Sequence, residues 1–243
     1  MKIKLIGTGS IGAKRISAST LIDEQILVDM PNGIVKSLKK LGCDVLKIKV
    51  ILITHLHGDH FFDIPFFMLE KFFYNSNEKT KIYCPKGTKT KVKQLFEIAF
   101  PGEYDKVRKF ANVEFVEFKE LKREKVLDSV YVDSKKVEHG KLKRAHGFII
   151  EKGNKKIGFS GDSKLCKGVK EIVQQSDVCV VDMSLAENGN EAHMGLSDIR
   201  ELCEKNPNKT IVTTHMHDFT REKAKNININ NLIVPEDGYS IDI

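Results

Sequence analysis

Apolar residues recur along this chain with two periods, and the switches between them outline its elements. Residues 3–6 form an apolar run that predicts a buried strand, with two more strands at 20–22 and 26–29 across the Asp23-Glu24 turn. A helix is predicted over 34–41 and a strand over 47–54 that is buried at its end. A helix over 59–74 follows, and its apolar positions Phe62, Pro65, Phe66, Leu69, Phe72 and Phe73 predict a face turned to the core. Then come a strand at 81–84, a basic amphipathic helix at 88–100, and a strand at 113–118 that alternates at period two with Val113 and Phe115 inward. The charge run 117–125 reads as a solvated turn. The second half predicts strands at 129–137, 146–152 and 156–160, a helix at 164–174, a strand at 178–182, a helix at 197–204 and a strand at 211–214. Each half places strands first and then alternates helix with strand. That order predicts an α/β (α+β) fold, a four-layer αββα sandwich in which two sheet-plus-helix halves pack sheet to sheet. No Pro/Gly/Ser-rich linker and no strict repeat divides the chain, so residues 1–243 read as a single domain.

Composition adds bounds to this picture. Hydrophobic residues make up 41% and charged residues 30%, values of a globular chain and not of a disordered one. The net charge of +7 fits either steering of an anionic partner or a lysine-rich solvated surface. Five scattered cysteines, Cys43, Cys84, Cys166, Cys179 and Cys203, show no C-x-x-C pairing and read as reduced, mostly buried thiols. The longest apolar stretch, 61–74, is broken by Asp63, Pro65, Glu70 and Lys71, so no membrane span is predicted, and the N-terminus enters a strand without a signal-peptide layout. A cytoplasmic protein is the expectation. Gly7, Gly9 and Gly12 satisfy the G-x-G-x-x-G spacing, but a polar stretch and a strand follow where a dinucleotide fold needs a helix. These glycines instead predict a tight loop beside a site.

The chemistry concentrates in Thr54-His55-Leu56-His57-Gly58-Asp59-His60, delivered by the apolar run 50–53. Neutral imidazole and carboxylate are the usual ligands of zinc and related divalent ions. Completing groups must come from elsewhere, and the candidates sit where strands give way to loops, His139, Asp162 and His215, or open a helix, His193. Asp162 alone fits a helix N-cap equally well. Together, six of the eight histidines (His55, His57, His60, His139, His193, His215) fall at strand or helix ends, which points to one joint site.

These residues carry a resemblance. The H-x-H-x-D-H segment at His55, His57, Asp59 and His60, Asp162 in S-G-D-S and His215 in T-T-H-M-H-D resemble the metallo-β-lactamase superfamily over 3–215. The resemblance implies a dinuclear site at the edge where two sheets meet. His55, His57 and His139 would hold one metal, Asp59, His60 and His215 the other, and Asp162 would bridge. It also implies orienting groups behind the imidazoles, for which Asp29 and Asp63 are the candidates. Zinc is the default ion, with manganese and iron open.

Within the superfamily the chain is most similar to the ribonuclease Z and phosphodiesterase branch. Gly7-Thr8-Gly9 with Lys14-Arg15, the segment 146–151 after His139, and His193 carry that likeness. It implies a phosphodiesterase acting on an anionic substrate, with RNA among the candidates, in which water is activated by metal, Asp59 orients it and His193 serves the leaving group. The chain departs from the branch in Arg15-Ile16, in His193-Met194-Gly195, and in the mere 23 positions between His139 and Asp162, where tRNA-processing members insert a gripping arm. Basic residues Lys135, Lys136, Lys141, Lys143 and Arg144 near His139 could face phosphate or form a solvated hairpin tip. Hydrolysis of a lactone, thioester or other acyl compound is the alternative on the same fold. An iron redox protein and a catalytically silent binding module are further ones, and a homodimer is left open.

Overall fold

The computed structural model describes residues 1–243 and resolves the two halves as two seven-stranded sheets. In the first, β1 (Lys2–Gly7), β2 (Ser19–Ile22) and β3 (Ile26–Val28) are antiparallel neighbours. The parallel strands β4 (Val50–Leu52), β5 (Thr80–Pro85) and β6 (Val113–Phe118) continue that sheet. In the second, β7 (Glu124–Leu127), β8 (Val130–Lys136), β9 (His146–Lys152) and β10 (Lys155–Phe159) are antiparallel. The parallel strands β11 (Val178–Asp182), β12 (Thr210–Thr214) and β13 (Leu232–Ile233) follow. β14 (Ser240–Asp242) returns to pair with β1. Parallel strands need crossover helices, and these lie on the outer faces. On one side are α1 (Ile34–Lys40), α2 (Gly58–Phe61), α3 (Ile64–Phe73), α4 (Thr88–Ala99) and α5 (Tyr104–Phe110). On the other are α6 (Lys167–Gln175), α7 (Leu196–Lys205) and α8 (Asp218–Ala224).

Three apolar clusters match four layers. Leu5, Leu52, Tyr83, Phe148, Ile150, Phe159, Val180 and Val212 pack between the sheets. Ile34, Leu38, Phe67 and Phe96 pack beneath the helices of the first sheet, and Val169, Ile172, Ile199 and Leu202 beneath those of the second. The αββα expectation therefore holds. All five cysteines are free and all but Cys43 are buried, with burial pushing the Cys84 and Cys179 thiols up to about 12.

Several elements differ from their sequence reading. The predicted strand 47–54 begins later, because Val45–Lys47 form a 3-10 turn started by the Asp44 carboxylate, which accepts the Leu46 N–H at 3.0 Å. The predicted helix 59–74 is two helices broken at Phe62–Asp63, and the break shifts its phase. Asp63 points inward, where its carboxylate accepts the Val35 N–H of α1 at 2.9 Å. The buried stripe is then Ile64, Phe67, Met68 and Lys71, while Phe62, Phe66 and Phe73 are 44%, 51% and 70% exposed. The expected core face of phenylalanines is thus largely a surface. Lys71 is buried because its amine donates to the Glu78 carbonyl and the Thr80 hydroxyl. Helix α6 starts at Lys167 and not at 164, since the backbone at Cys166 is extended, at φ -130 and ψ 174. The charge run 117–125 ends inside β7, and α5, α8, β13 and β14 lacked a sequence signal.

Removing the Phe148 ring from between the sheets should cost about 3–5 kcal/mol, read as a lowered urea midpoint for Phe148→Ala. His146 offers a pH test. Burial, with the nearby Lys136 charge, lowers its pKa to about 4. The unfolded imidazole takes its proton near 6.5. Between those values the unfolded state binds the extra proton, so stability falls as pH drops from 6.5 towards 4, by up to about 3 kcal/mol. His146→Gln should flatten that dependence relative to wild type in urea titrations at pH 7 and pH 5.

Candidate metal centre

The C-terminal end of β4 is where the cluster begins. Thr54 follows the strand and donates both its backbone N–H and its hydroxyl to Asp29, each at 2.8 Å. Having given its only hydroxyl proton to Asp29, Thr54 Oγ1 must accept from His55 Nδ1 at 3.0 Å. His60, carried by α2, donates from Nδ1 to the same Asp29 carboxylate at 2.8 Å. One buried aspartate thus sets the tautomer and orientation of two imidazoles, with its own backbone in the left-handed region at φ 60. His139 donates from Nδ1 to the Ala192 carbonyl at 2.9 Å. His215 donates from Nδ1 to Ser184 Oγ at 2.8 Å, because that hydroxyl gives its proton to Asp182 at 2.7 Å. His215 also sits at φ 55, a conformation that costs a non-glycine residue about 1–3 kcal/mol and recurs at functional sites.

With every Nδ1 occupied, four Nε2 lone pairs are left to face inward, and they face Asp162. Its Oδ2 lies 3.2 Å from His215 Nε2, 3.3 Å from His60, 3.9 Å from His55 and 4.0 Å from His139. Asp162 reaches that point because Gly161 before it adopts φ +59, with Thr54 and the His146 carbonyl packed against it. Asp162 is therefore not the cap of the following helix, whose N-cap is Cys166. Asp59 Oδ2 stands 3.4 Å from His215 Nε2 and 3.8 Å from His60 Nε2. His57 is exposed and turns Nδ1 to within 3.1 Å of His139 Nε2. All seven residues expected as ligands meet in one place, 160 residues apart at the extremes of the chain order.

The donor set fits metal. Tetrahedral bonds of about 2.0–2.1 Å put neighbouring donors about 3.3 Å apart, close to the spacings here. His55 Nε2 and His60 Nε2 are buried without a hydrogen bond, an arrangement that is costly unless a cation takes the lone pairs. The field agrees. Burial would lift the Asp162 carboxyl, but His215, His60 and His55 hold it well below its ordinary range. Burial lowers His55 well below its usual value, aided by His60. Burial works against charge on His60 too, yet Asp162 and Asp29 raise it well above its ordinary value. A field that strengthens the hold on a proton strengthens the hold on a cation in the same way.

His193 lies at the mouth, half-buried and stacked on His215 with ring centroids 5.3 Å apart. It donates from Nδ1 to Asp182 Oδ2 at 2.8 Å. It lies in irregular backbone before helix α7, whose N-cap is Gly195, and does not open the helix itself. Of the two expected orienting carboxylates, Asp29 touches His60 and Asp63 touches none of the imidazoles, being used at the start of α1. Asp182, Ser184 and the Ala192 carbonyl escaped the sequence reading. Asp182 did carry a signal, since it ends the apolar run 178–181 just as Asp162 follows 155–159. The glycine loop lies beside the site as expected. Gly9 bridges to Met216, and Arg15 donates to Thr8 Oγ1, the Met216 carbonyl and Asp218, which ties the loop to the His215 segment. Asp29→Ala removes the acceptor of His60 and Thr54 together. It should weaken zinc affinity about 10–100-fold in a chelator competition assay, with the fold retained by circular dichroism.

The fold recurs in known proteins. Human tRNase Z, short form, superposes with a TM-score of 0.79 over 100% of this chain and 99% of its own, at 19% identity. Zn(2+)-bound PqqB from Methylobacterium extorquens superposes with a TM-score of 0.73 over 100% of both chains, at 14% identity. Ribonuclease Z of Metallosphaera sedula is 24% identical over 240 residues, 84% of this chain and 82% of that one. These likenesses show that the chain has the metallo-β-lactamase fold. The family model described as Anti-Pycsar protein Apyc1 matches residues 1–239, so the chain belongs to the Anti-Pycsar protein Apyc1 family.

Proposed function

We propose that the chain, acting as one domain, is a dinuclear metal-dependent phosphodiesterase of the ribonuclease Z type. The observation that carries this reading is the convergence of four buried Nε2 lone pairs on Asp162, each fixed from behind by a hydrogen bond at Nδ1. His55, His57 and His139 would hold one cation, Asp59, His60 and His215 a second, and Asp162 would serve both. Two divalent cations bound there would lower the pKa of an attacking water and offset the charge that develops on phosphoryl oxygens.

The protein's own groups supply the rest. Burial raises Asp59, but the hydrogen bond from His215 and the His60 charge outweigh it, so the group stays a carboxylate that can accept from a water and orient it. Asp182 holds His193 by its Nδ1–H, leaving Nε2 to give a proton to the departing oxygen. Burial opposes a charged His193, while the Asp182 hydrogen bond and charge outweigh it and favour the protonated form. Phosphorus is favoured over an acyl carbon by the likeness to ribonuclease Z and tRNase Z. The interval between His139 and Asp162 is filled by a short loop and the β9–β10 hairpin, both part of the second sheet. That supports small or flexible diesters as substrates ahead of a gripped tRNA.

His193→Ala should keep its metal content while kcat on bis(4-nitrophenyl) phosphate falls about 10²–10⁴-fold. Loss of metal in that variant would make His193 a ligand, a role its closeness to Asp162 and His139 also permits. Wild-type protein of measured metal content should hydrolyse diesters in a panel that includes cyclic nucleotides, precursor tRNA, lactones and thioesters. Activity confined to the acyl compounds would overturn the reading. Reconstitution with zinc, manganese or iron(II) in turn identifies the ion that supports turnover, and zinc is expected.

A further inference from the structure

The rim that carries the cluster continues into a second concavity of about 440 Å³. It is lined by Lys86, Lys119, Lys136, Lys143 and Arg144. The only carboxylate among its lining residues is Glu120, which is already paired with Lys122 at 3.4 Å. None of the five cations is in an ion pair, and the nearby Glu138 is taken by Lys164. Five like charges around one hollow repel each other, and Glu120 is the one carboxylate that lines it with them. Like charges gathered in a cleft raise the local concentration of a counter-ion. The floor is formed by Phe118 and by His146, which is 6% exposed and packs edge-on to Phe118 at 5.0 Å. The His146 ring makes no hydrogen bond, and its Nδ1 is buried without a partner.

The location matters as much as the charge. Lys86 follows the C-terminal end of β5, which pairs with β4, and Phe118 ends β6, one strand further out; the cluster begins at the C-terminal end of β4. Lys136 ends β8, the strand that leads to His139. His146 donates its backbone N–H to the Thr54 carbonyl at 3.0 Å, one residue before His55. The hollow therefore shares a rim with the cluster, displaced by up to two strand spacings, about 10 Å.

We propose that this basic hollow is a second anion subsite, which takes a non-scissile phosphate of a phosphodiester whose scissile phosphate sits at the His/Asp cluster. The proposal rests on the phosphodiesterase reading above. It narrows the preferred substrates to diesters that bear another phosphate, as a 5′-phosphorylated dinucleotide does, and gives the positive net charge a place of action. Lys136 and Lys143 supply the charge. Arg144 supplies it as well and is held by a hydrogen bond to the Lys86 carbonyl.

The test pairs kinetics with binding on the metal-loaded protein. Wild type should show about a tenfold lower KM for a 5′-phosphorylated dinucleotide than for the same dinucleotide without the phosphate, which corresponds to about 1.4 kcal/mol. Lys136→Gln/Lys143→Gln should abolish that difference and leave kcat/KM for bis(4-nitrophenyl) phosphate unchanged. Equal KM values for the two dinucleotides in wild type, or equal losses on every substrate in the variant, would overturn the subsite. Inorganic sulfate followed through the His146 ring signals by NMR is the independent arm. A saturable shift in wild type that the double variant loses supports an anion site, and no shift overturns it. Should wild type cleave no diester at all, the phosphodiesterase reading fails by itself, and the sulfate titration still decides whether the hollow binds an oxyanion.

Discussion

Everything in this site depends on keeping lone pairs aimed at one another in a dry place. Four imidazole Nε2 atoms and two carboxylates crowd within a few ångströms, and none can satisfy the others fully. Left alone, such a cluster would turn its rings away or take up protons. It stays convergent because each ring is anchored on its far side: His55 through Thr54, His60 through Asp29, His139 through a backbone carbonyl, and His215 through Ser184 and Asp182. Orientation by a second hydrogen bond both fixes the tautomer and makes the inward nitrogen more basic. The arrangement is therefore built for a cation.

The sandwich supplies the rigidity that this aiming needs. β4, β10, β11 and β12 end near a common rim, and their apolar bodies form the layer between the sheets. Side chains that follow these strands inherit positions set by sheet register and not by loop flexibility. Where the chain must bend sharply to present a group, it accepts unusual backbone: Asp29 and His215 at positive φ, and Gly161 before Asp162. Asp29 shows the coupling most directly, since one buried carboxylate holds the strand end, one imidazole directly and another through Thr54.

Charge is distributed in two zones along the rim. The cluster is rich in acceptors and draws cations, while the neighbouring hollow is rich in donors and draws anions. A phosphodiester needs both, since its scissile group must meet metal and the rest of its charge must meet something positive. Part of the overall charge of +7 is thereby gathered in a set of unpaired cations beside the site.

The sequence by itself determined the sandwich and the identity of the clustered residues. Strand and helix periods are local, and ligand types at strand ends survive as a readable pattern in His55, His57, Asp59, His60, His139, Asp162 and His215. It did not determine which groups stand behind them. Asp29 and Asp63 looked alike in sequence, and only packing decided that Asp29 meets His60 and that Asp63 meets the first turn of α1. The phenylalanines of 61–73 misled for a related reason. Two helical phases are equally apolar there, and the break at Phe62–Asp63, fixed by the Asp63 contact, selected Ile64, Phe67 and Met68 as the buried set. Asp182 and Ser184 act across a gap of 30 residues on His215, and the basic hollow gathers residues from three strand ends and a loop. Such partnerships carry no local period, so tertiary structure alone decided them.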